Sequence, residues 1–221
     1  MLKIFIGVEE KQEVAYEVLK YSLEKHASSA LTIYPLRLGE LKTRLGFERG
    51  RDQLQTTEFT YSRFLVPRLC NYSGVALYMD SDMLCVDDVM QLTKLAIENF
   101  SLMVVKHVYH PKSATKMISA PQTAYPRKLW SSLMLLNCEQ LRVWTVNAVA
   151  SKPARWLHRF EPIRDDLIGA IPAQWNVVDP QSVRPKIFHF TEGGPWLTGK
   201  RDSPMAETWM RYREEWAKAT S

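Results

Sequence analysis

Asp80 and Asp82 follow the apolar run 75–79 with a single residue, Ser81, between them. A run of that length with β-branched and aromatic members reads as a buried strand, and the two acids leave it at its C-terminal end. Side chains two apart on an extended backbone point the same way, so both carboxylates converge on one point. Like charges held that close repel each other. A divalent cation removes the conflict, and hard carboxylate oxygens suit Mg²⁺ or Mn²⁺. An ordinary turn is the other source of the pattern, because Asp and Ser bond nearby backbone groups where a chain leaves a strand.

Other polar residues divide in the same way between packing and chemistry. Arg63 lies in a candidate amphipathic helix over 60–69; its stem packs on a surface, or its fork donates to phosphate or sugar oxygens. Ser131, Ser132 and Asn137 flank the apolar run 133–136 and offer the small neutral donors and acceptors that sugar hydroxyls need. His189 ends the apolar run 185–190, with Gly193 and Gly194 beyond it. It is either a core histidine or part of a glycine-rich exit that brings backbone N–H groups to a phosphate. Asp165 and Asp166 form a second acidic pair, for which a helix N-terminus is a sufficient structural reason. Asp87 or Asp88 reads as an N-cap.

The elements that must position these groups follow from periodicity. Residues 2–8 read as a strand in which Gly7 allows close approach, and Val14, Ala15, Val18, Leu19, Ser22 and Leu23 recur at helical spacing through 11–26. Residues 31–36 read as a second strand, placed at an edge by Pro35. Strand, helix, strand predicts a parallel α/β sheet, whose ligands gather at the carboxyl ends of strands, and a nucleotide base fits over the tip after Val8. Residues 38–55 are polar and read as an irregular connection. Further strands are expected at 101–105, 133–136, 171–178 and 185–190, and helices at 89–100, 139–150 and 206–219. The loop from His110 to Arg127 is long enough to shape an acceptor side.

The bulk properties bound the class. A chain of 221 residues with 46% hydrophobic and 24% charged residues is expected to fold as one domain. The net charge of +5 suits anionic ligands. There is no zinc-finger spacing or RNA-binding aromatic signature, so nucleic acid is not an expected partner. Cys70, Cys85 and Cys138 form no Cys-x-x-Cys pair and read as buried thiols in a reducing compartment. No secretory leader and no membrane-length apolar stretch is visible, so a cytoplasmic location is expected. The sequence leaves open whether this is a whole protein or one domain of a longer one.

Taken in order, Tyr61-x-Arg63-Phe64-x-x-Pro67, Tyr78-x-Asp80-x-Asp82, and His189-Phe190 followed by Gly-Pro-Trp resemble the GT-A glycosyltransferases of family 8, the group of glycogenin and bacterial galactosyltransferases. The resemblance runs from the first strand to about Trp196 and is nearest to small microbial and viral members. It implies one GT-A domain with a mostly parallel central sheet flanked by helices. Residues 1–105 would be the nucleotide-binding half, 106–200 the donor-sugar and acceptor half, and 205–220 a closing helix. It implies a Mn²⁺ or Mg²⁺ site of Asp80, Asp82 and His189, the imidazole favouring Mn²⁺. It implies a UDP-sugar donor, with uracil and ribose at the tip of Gly7 and Val8. Arg63, Asp80 and Ser81 would lie beside the diphosphate, Ser131, Ser132 and Asn137 at the sugar rim, and Gly193 and Gly194 near the phosphates. Asp165 or Asp166 would lie near the anomeric carbon, and the acceptor would be a hydroxyl on a carbohydrate or glycoconjugate, with retention of configuration.

Two departures stand out: Gly194 replaces the family's diphosphate lysine, and the Asp-Gln run is not intact at Asp165-Asp166. Two other readings use the same residues. One is a phosphohydrolase with Asp80 as nucleophile, although that motif belongs on a first strand. The other is a sugar-nucleotide-binding domain that has lost turnover, which the missing lysine favours.

Overall fold

The computed structural model describes residues 2–50, 57–108, 115–116, 120–121 and 126–220. The chain starts with β1 (Lys3–Gly7), α1 (Glu13–His26) and β2 (Thr32–Leu36), the two strands parallel and β2 at the sheet edge. On α1, Ala15, Val18, Leu19, Ser22 and Leu23 are buried, the helical stripe read from the sequence. Each fully buried Val or Leu in that stripe contributes about 1.5–3 kcal/mol of burial.

The expected irregular connection is in part a helix, α2 (Leu38–Leu45). Leu38, Leu41 and Leu45 fall on one face and pack against the core, while the charges on the other face obscure that stripe in the sequence. Gly46, at φ 62°, ends the helix in the left-handed conformation. Residues 51–56 of the connection lie outside the described residues. Over 60–69 the chain forms a 3₁₀ turn, Ser62–Leu65, running into α3 (Val66–Leu69). Ser62 through Pro67 are all buried, so this is a core segment and not an amphipathic surface helix.

Next come β3 (Val75–Asp80), β4 (Met83–Cys85), a 3₁₀ segment Val89–Lys94 capped by Asp88, and β5 (Leu102–Val104). A small ladder pairs β6 (Thr115–Lys116) with β7 (Ala120–Pro121). Most of the remaining expected acceptor-side loop, His110 and Lys112 included, lies outside the described residues. After β8 (Leu133–Asn137) the helix expected over 139–150 is split. A 3₁₀ turn at Cys138–Leu141 precedes α4 (Val146–Ser151), which Thr145 restarts by capping the Ala148 N–H. Then follow α5 (Ala154–His158), β9 (Ile168–Ala170), β10 (Ile187–His189) and α6 (Ala206–Thr220). The strand expected at 171–178 forms earlier, as β9. A Cβ on Gly169 would meet Met103 and Phe100 at 2.7 Å, so glycine is what lets this strand pack closely.

The main sheet has the order β2-β1-β3-β8-β5-β9, and only β8 runs against the others. Its residues alternate between two cores. Phe5, Tyr78, Val104 and Met134 face the segment around α3, α4 and α5, whereas Ile4, Ile6, Leu77, Met79 and Met103 face α1. Trp209 and Tyr212 of α6 close a third cluster with Val18, Leu84 and Phe188. The three cysteines are buried free thiols. No helix among the described residues is long and apolar enough to cross a membrane.

Candidate metal centre

Asp80 is the last residue of β3, and its register partner on β1 is Gly7. The chain turns through Ser81 and Asp82 into β4, which pairs antiparallel with β10 so that Met83 lies opposite His189. The Phe190 N–H donates to the Asp82 carbonyl at 2.8 Å, locking the His189 strand end beside the acids. Asp80, Asp82 and His189 are buried, at 8%, 7% and 2% exposure. One ligand atom from each lies within 4.8 Å of the others, as a shared metal ion requires.

The two carboxylates are not equivalent. Asp80 Oδ1 lies 3.0 Å from an Arg63 guanidinium nitrogen and accepts a 2.6 Å hydrogen bond from the Tyr78 hydroxyl. Burial pushes the Asp80 carboxyl above its ordinary range, against the pull of Arg63, and the nearby Asp82 charge adds to the rise. Burial also raises Tyr78 well above its ordinary value, so its hydroxyl stays protonated and donates. Asp82 faces the imidazole, with Oδ1 3.2 Å from His189 Nε2. Two buried carboxylates and an imidazole nitrogen that converge on one point fit a divalent cation.

Arg63 is aimed inward. Besides Asp80 it donates to the Ser131 carbonyl at 2.8 Å and, through Nε, to the Phe59 carbonyl at 3.4 Å. Its first partner is thus a carboxylate of the ligand set. Ser131 and Ser132 form a 3₁₀ turn that delivers the chain into β8 next to Met79, so both lie near Asp80. Both are buried. Ser131 Oγ sits 3.0 Å from His158 Nδ1, and Ser132 Oγ donates to the Leu129 carbonyl at 2.6 Å. Asn137 is at the other end of β8, in register with Val75, so the structure does not bring it to the acidic pair.

A Cβ on Gly7 would meet Phe59 and the Tyr78 hydroxyl at 2.6 Å. The close approach that this glycine permits is therefore made by the protein's own rings. The Val8 side chain is buried in the core. A cavity of about 590 Å³ opens beyond the tips of β1 and β2, lined by Glu10, Leu38, Lys42, Phe47 and Arg49 among others. At Gly194 a Cβ would lie 2.0 Å from the Trp196 ring, which packs on Phe190 and Trp209. Gly193, at φ 91°, turns the chain toward that packing. The tryptophan thus occupies the space that a side chain at 194 would need.

Asp165 and Asp166 lie in the 3₁₀ turn that enters β9 at its N-terminal end, whereas Asp80 leaves a strand of the same direction at its C-terminal end. Their side chains are 84% and 60% exposed, and each is bound by an arginine, Arg127 and Arg164 respectively, at 2.6 Å. They are not part of the buried ligand set.

Three groups around the site were given no role from the sequence, although Tyr78 stands in the motif of the acidic pair. Tyr78 stands two residues before Asp80 on the same strand face, and its spacing was the available signal. Asn176, fully buried, has Oδ1 3.0 Å from His189 Nδ1 and donates from Nδ2 to Ser132 Oγ at 2.8 Å. Its signal was a lone amide between Trp175 and Val177-Val178. His158 packs on Tyr61 and Phe64; burial, then the Arg63 and Arg49 charges, lower its pKa to about 3.

The family model for glycosyl transferase family 8 matches residues 11–164. "Protein CDI" of Arabidopsis thaliana is 37% identical over 226 residues, covering 98% of this chain and 87% of that protein. The glycosyltransferase GlyE of Streptococcus pneumoniae superimposes with a TM-score of 0.62 at 14% identity, over 99% of this chain but only 63% of GlyE. The galactosyltransferase LgtC, solved with donor and acceptor sugar analogues, gives a TM-score of 0.60 at 13% identity over 96% of this chain and 95% of LgtC. At such identities the structural likeness shows the fold, which is GT-A.

Proposed function

The chain belongs to glycosyl transferase family 8 and is a glycosyltransferase; from that premise we propose that it moves a sugar from a UDP-sugar to a hydroxyl of a carbohydrate or glycoconjugate, with Mn²⁺ or Mg²⁺ held by Asp80, Asp82 and His189. The observation that carries this reading is the buried convergence of two carboxylates and an imidazole within 4.8 Å at the carboxyl end of β3. Bound there, the ion supplies Lewis-acid stabilisation of the charge on the departing diphosphate, and the imidazole favours Mn²⁺.

The chain's own residues do the remaining work of the site. Arg63 and Tyr78 hold Asp80 in one orientation, and the short β4–β10 ladder holds His189 beside Asp82. The tip after Gly7 and Val8, with the adjoining 590 Å³ cavity, is the proposed seat of the uracil and ribose. Residues 1–105 then form the nucleotide half and 106–200 the sugar and acceptor half. Trp196 leaves no room for a lysine at 194, so backbone N–H groups near Gly193 and Gly194, or Lys200, are the proposed diphosphate donors. We propose retention of configuration, with the sugar held at a rim formed by Ser131 and Ser132.

A calorimetric screen of sugar nucleotides with and without Mn²⁺ tests the reading. Tighter binding of one UDP-sugar only when Mn²⁺ is present supports it; metal-independent binding, or preference for another base, contradicts it. The glycine at 194 keeps a second reading in play, a sugar-nucleotide-binding domain without turnover. Metal-dependent UDP binding without donor hydrolysis or transfer would select that one.

A further inference from the structure

His189 is held from behind by a chain of hydrogen bonds whose direction can be worked out atom by atom. Leu129 sits in the left-handed region at φ 67°, a strained place for a leucine, and its carbonyl accepts the Ser132 hydroxyl at 2.6 Å. A hydroxyl has one proton, so Ser132 Oγ can only accept from its other neighbour, the Asn176 side chain at 2.8 Å. That contact must come from the amide NH₂. The Asn176 carbonyl oxygen therefore faces His189, 3.0 Å from Nδ1, and a carbonyl oxygen can only accept. The proton on the ring nitrogen facing it is thereby fixed at Nδ1. Nε2 on the far side of the ring points at Asp82 Oδ1, 3.2 Å away.

We infer that Asn176 is the positioning residue of this centre, fixing the His189 tautomer so that the Nε2 lone pair faces the ion shared with Asp80 and Asp82. The inference rests on the metal reading above and adds a residue to it. Asn176 itself touches neither ion nor substrate. It is fully buried, both ends of its amide are engaged, and the residue after it is pinned to β10: the Val177 N–H donates to the Ile187 carbonyl and the His189 N–H to the Val177 carbonyl. Buried amides of this kind orient imidazole ligands and raise their basicity, and losing such a partner typically weakens metal binding about 10–100-fold. Without it the ring is free to carry its proton on Nε2, where it blocks the ligand position.

Two measurements on the full chain test this. In metal-free, ¹⁵N-labelled protein, long-range ¹H–¹⁵N correlations of the His189 ring, identified by their loss in His189→Gln, are expected to show a proton on Nδ1. A bare Nδ1 would overturn the inference whatever the metal does. Titration with Mn²⁺ alone, following the free ion by electron paramagnetic resonance, is expected to give a dissociation constant about 10–100-fold higher for Asn176→Leu than for the wild type. Asn176→Asp keeps an acceptor for Nδ1–H and should return the constant to within a few-fold of wild type. If Asn176→Leu does not fold, Ser132→Ala removes only the second link and should still weaken binding by a few-fold. Unchanged Mn²⁺ affinity in Asn176→Leu, or in Ser132→Ala should that variant stand in for it, overturns the inference. Absence of Mn²⁺ binding by the wild type would instead defeat the metal reading, and the ring measurement alone would decide the role of Asn176.

Discussion

The Asp80–Asp82 and Asp165–Asp166 pairs offer the same functional groups in two settings. The first pair leaves a strand with one residue between its members, so both carboxylates turn to the same buried point, where Arg63 pairs with Asp80 and the His189 imidazole faces Asp82. The second pair is consecutive in a 3₁₀ turn, where its members point apart, are 84% and 60% exposed, and meet a separate arginine each. Water and a guanidinium satisfy an exposed carboxylate at little energetic gain or cost. Two buried carboxylates that converge beside an imidazole concentrate negative charge where water does not reach it. The difference shows that the number of acids says little; burial and convergence with an imidazole are what mark the first pair as a candidate cation site.

The sharpest way to break that contrast is to remove Asp82, the acid facing His189. Asp82→Ala should lower metal-dependent transfer, or metal-dependent UDP binding, by more than about 100-fold; steady-state transfer assays or calorimetry read this out. Asp80→Ala should in addition lose about 3–5 kcal/mol of stability, because it breaks the buried ion pair with Arg63, and urea unfolding measures that loss. Acid should damage the buried region through its histidines. Burial holds His107 at about 4, with His189 adding to the fall, and holds His158 at about 3 through burial and the Arg63 and Arg49 charges. Both are then neutral in the folded chain while the unfolded chain takes up protons near 6.5. The stability they represent is complete above that value and falls with pH, by up to about 1.4 kcal/mol per pH unit for each, down toward the folded values. Urea unfolding across that window should show the slope, and His158→Gln should flatten it. The smallest effect belongs to the exposed pair. Asp165→Ala with Asp166→Ala should leave Mn²⁺ affinity unchanged and move the melting midpoint by no more than roughly 2 °C.

The regions that the sequence reveals and those that it hides differ for physical reasons. β3 and its acids were legible because a strand buried on both faces is a continuous apolar run, and a polar residue at its end must be somewhere specific. α1 was legible from its stripe, and β2 as an edge strand from Pro35. α2 was not, because a helix that buries only Leu41 fully carries most of its sequence as solvated charge. β9 was displaced in the reading because the acids before it look like a helix start and Gly169 looks like a break, when its missing side chain is what admits Met103 and Phe100. The type of Arg63 left packing and an anion contact both open, and its partner Asp80 lies 17 residues further along the chain, where no local pattern points. Asn176 shows in the local pattern only as a lone amide, with nothing to name its partners. Its role depends on Ser132 and His189, both remote in the chain, meeting it across the β10 ladder.

The most direct measurement is anomalous diffraction at the manganese edge from crystals grown with Mn²⁺ and UDP. A single peak within bonding distance of carboxylate oxygens of Asp80 and Asp82 and of His189 Nε2 is the predicted result. A peak at Asp165 and Asp166, or no ordered manganese with UDP bound, would contradict the account.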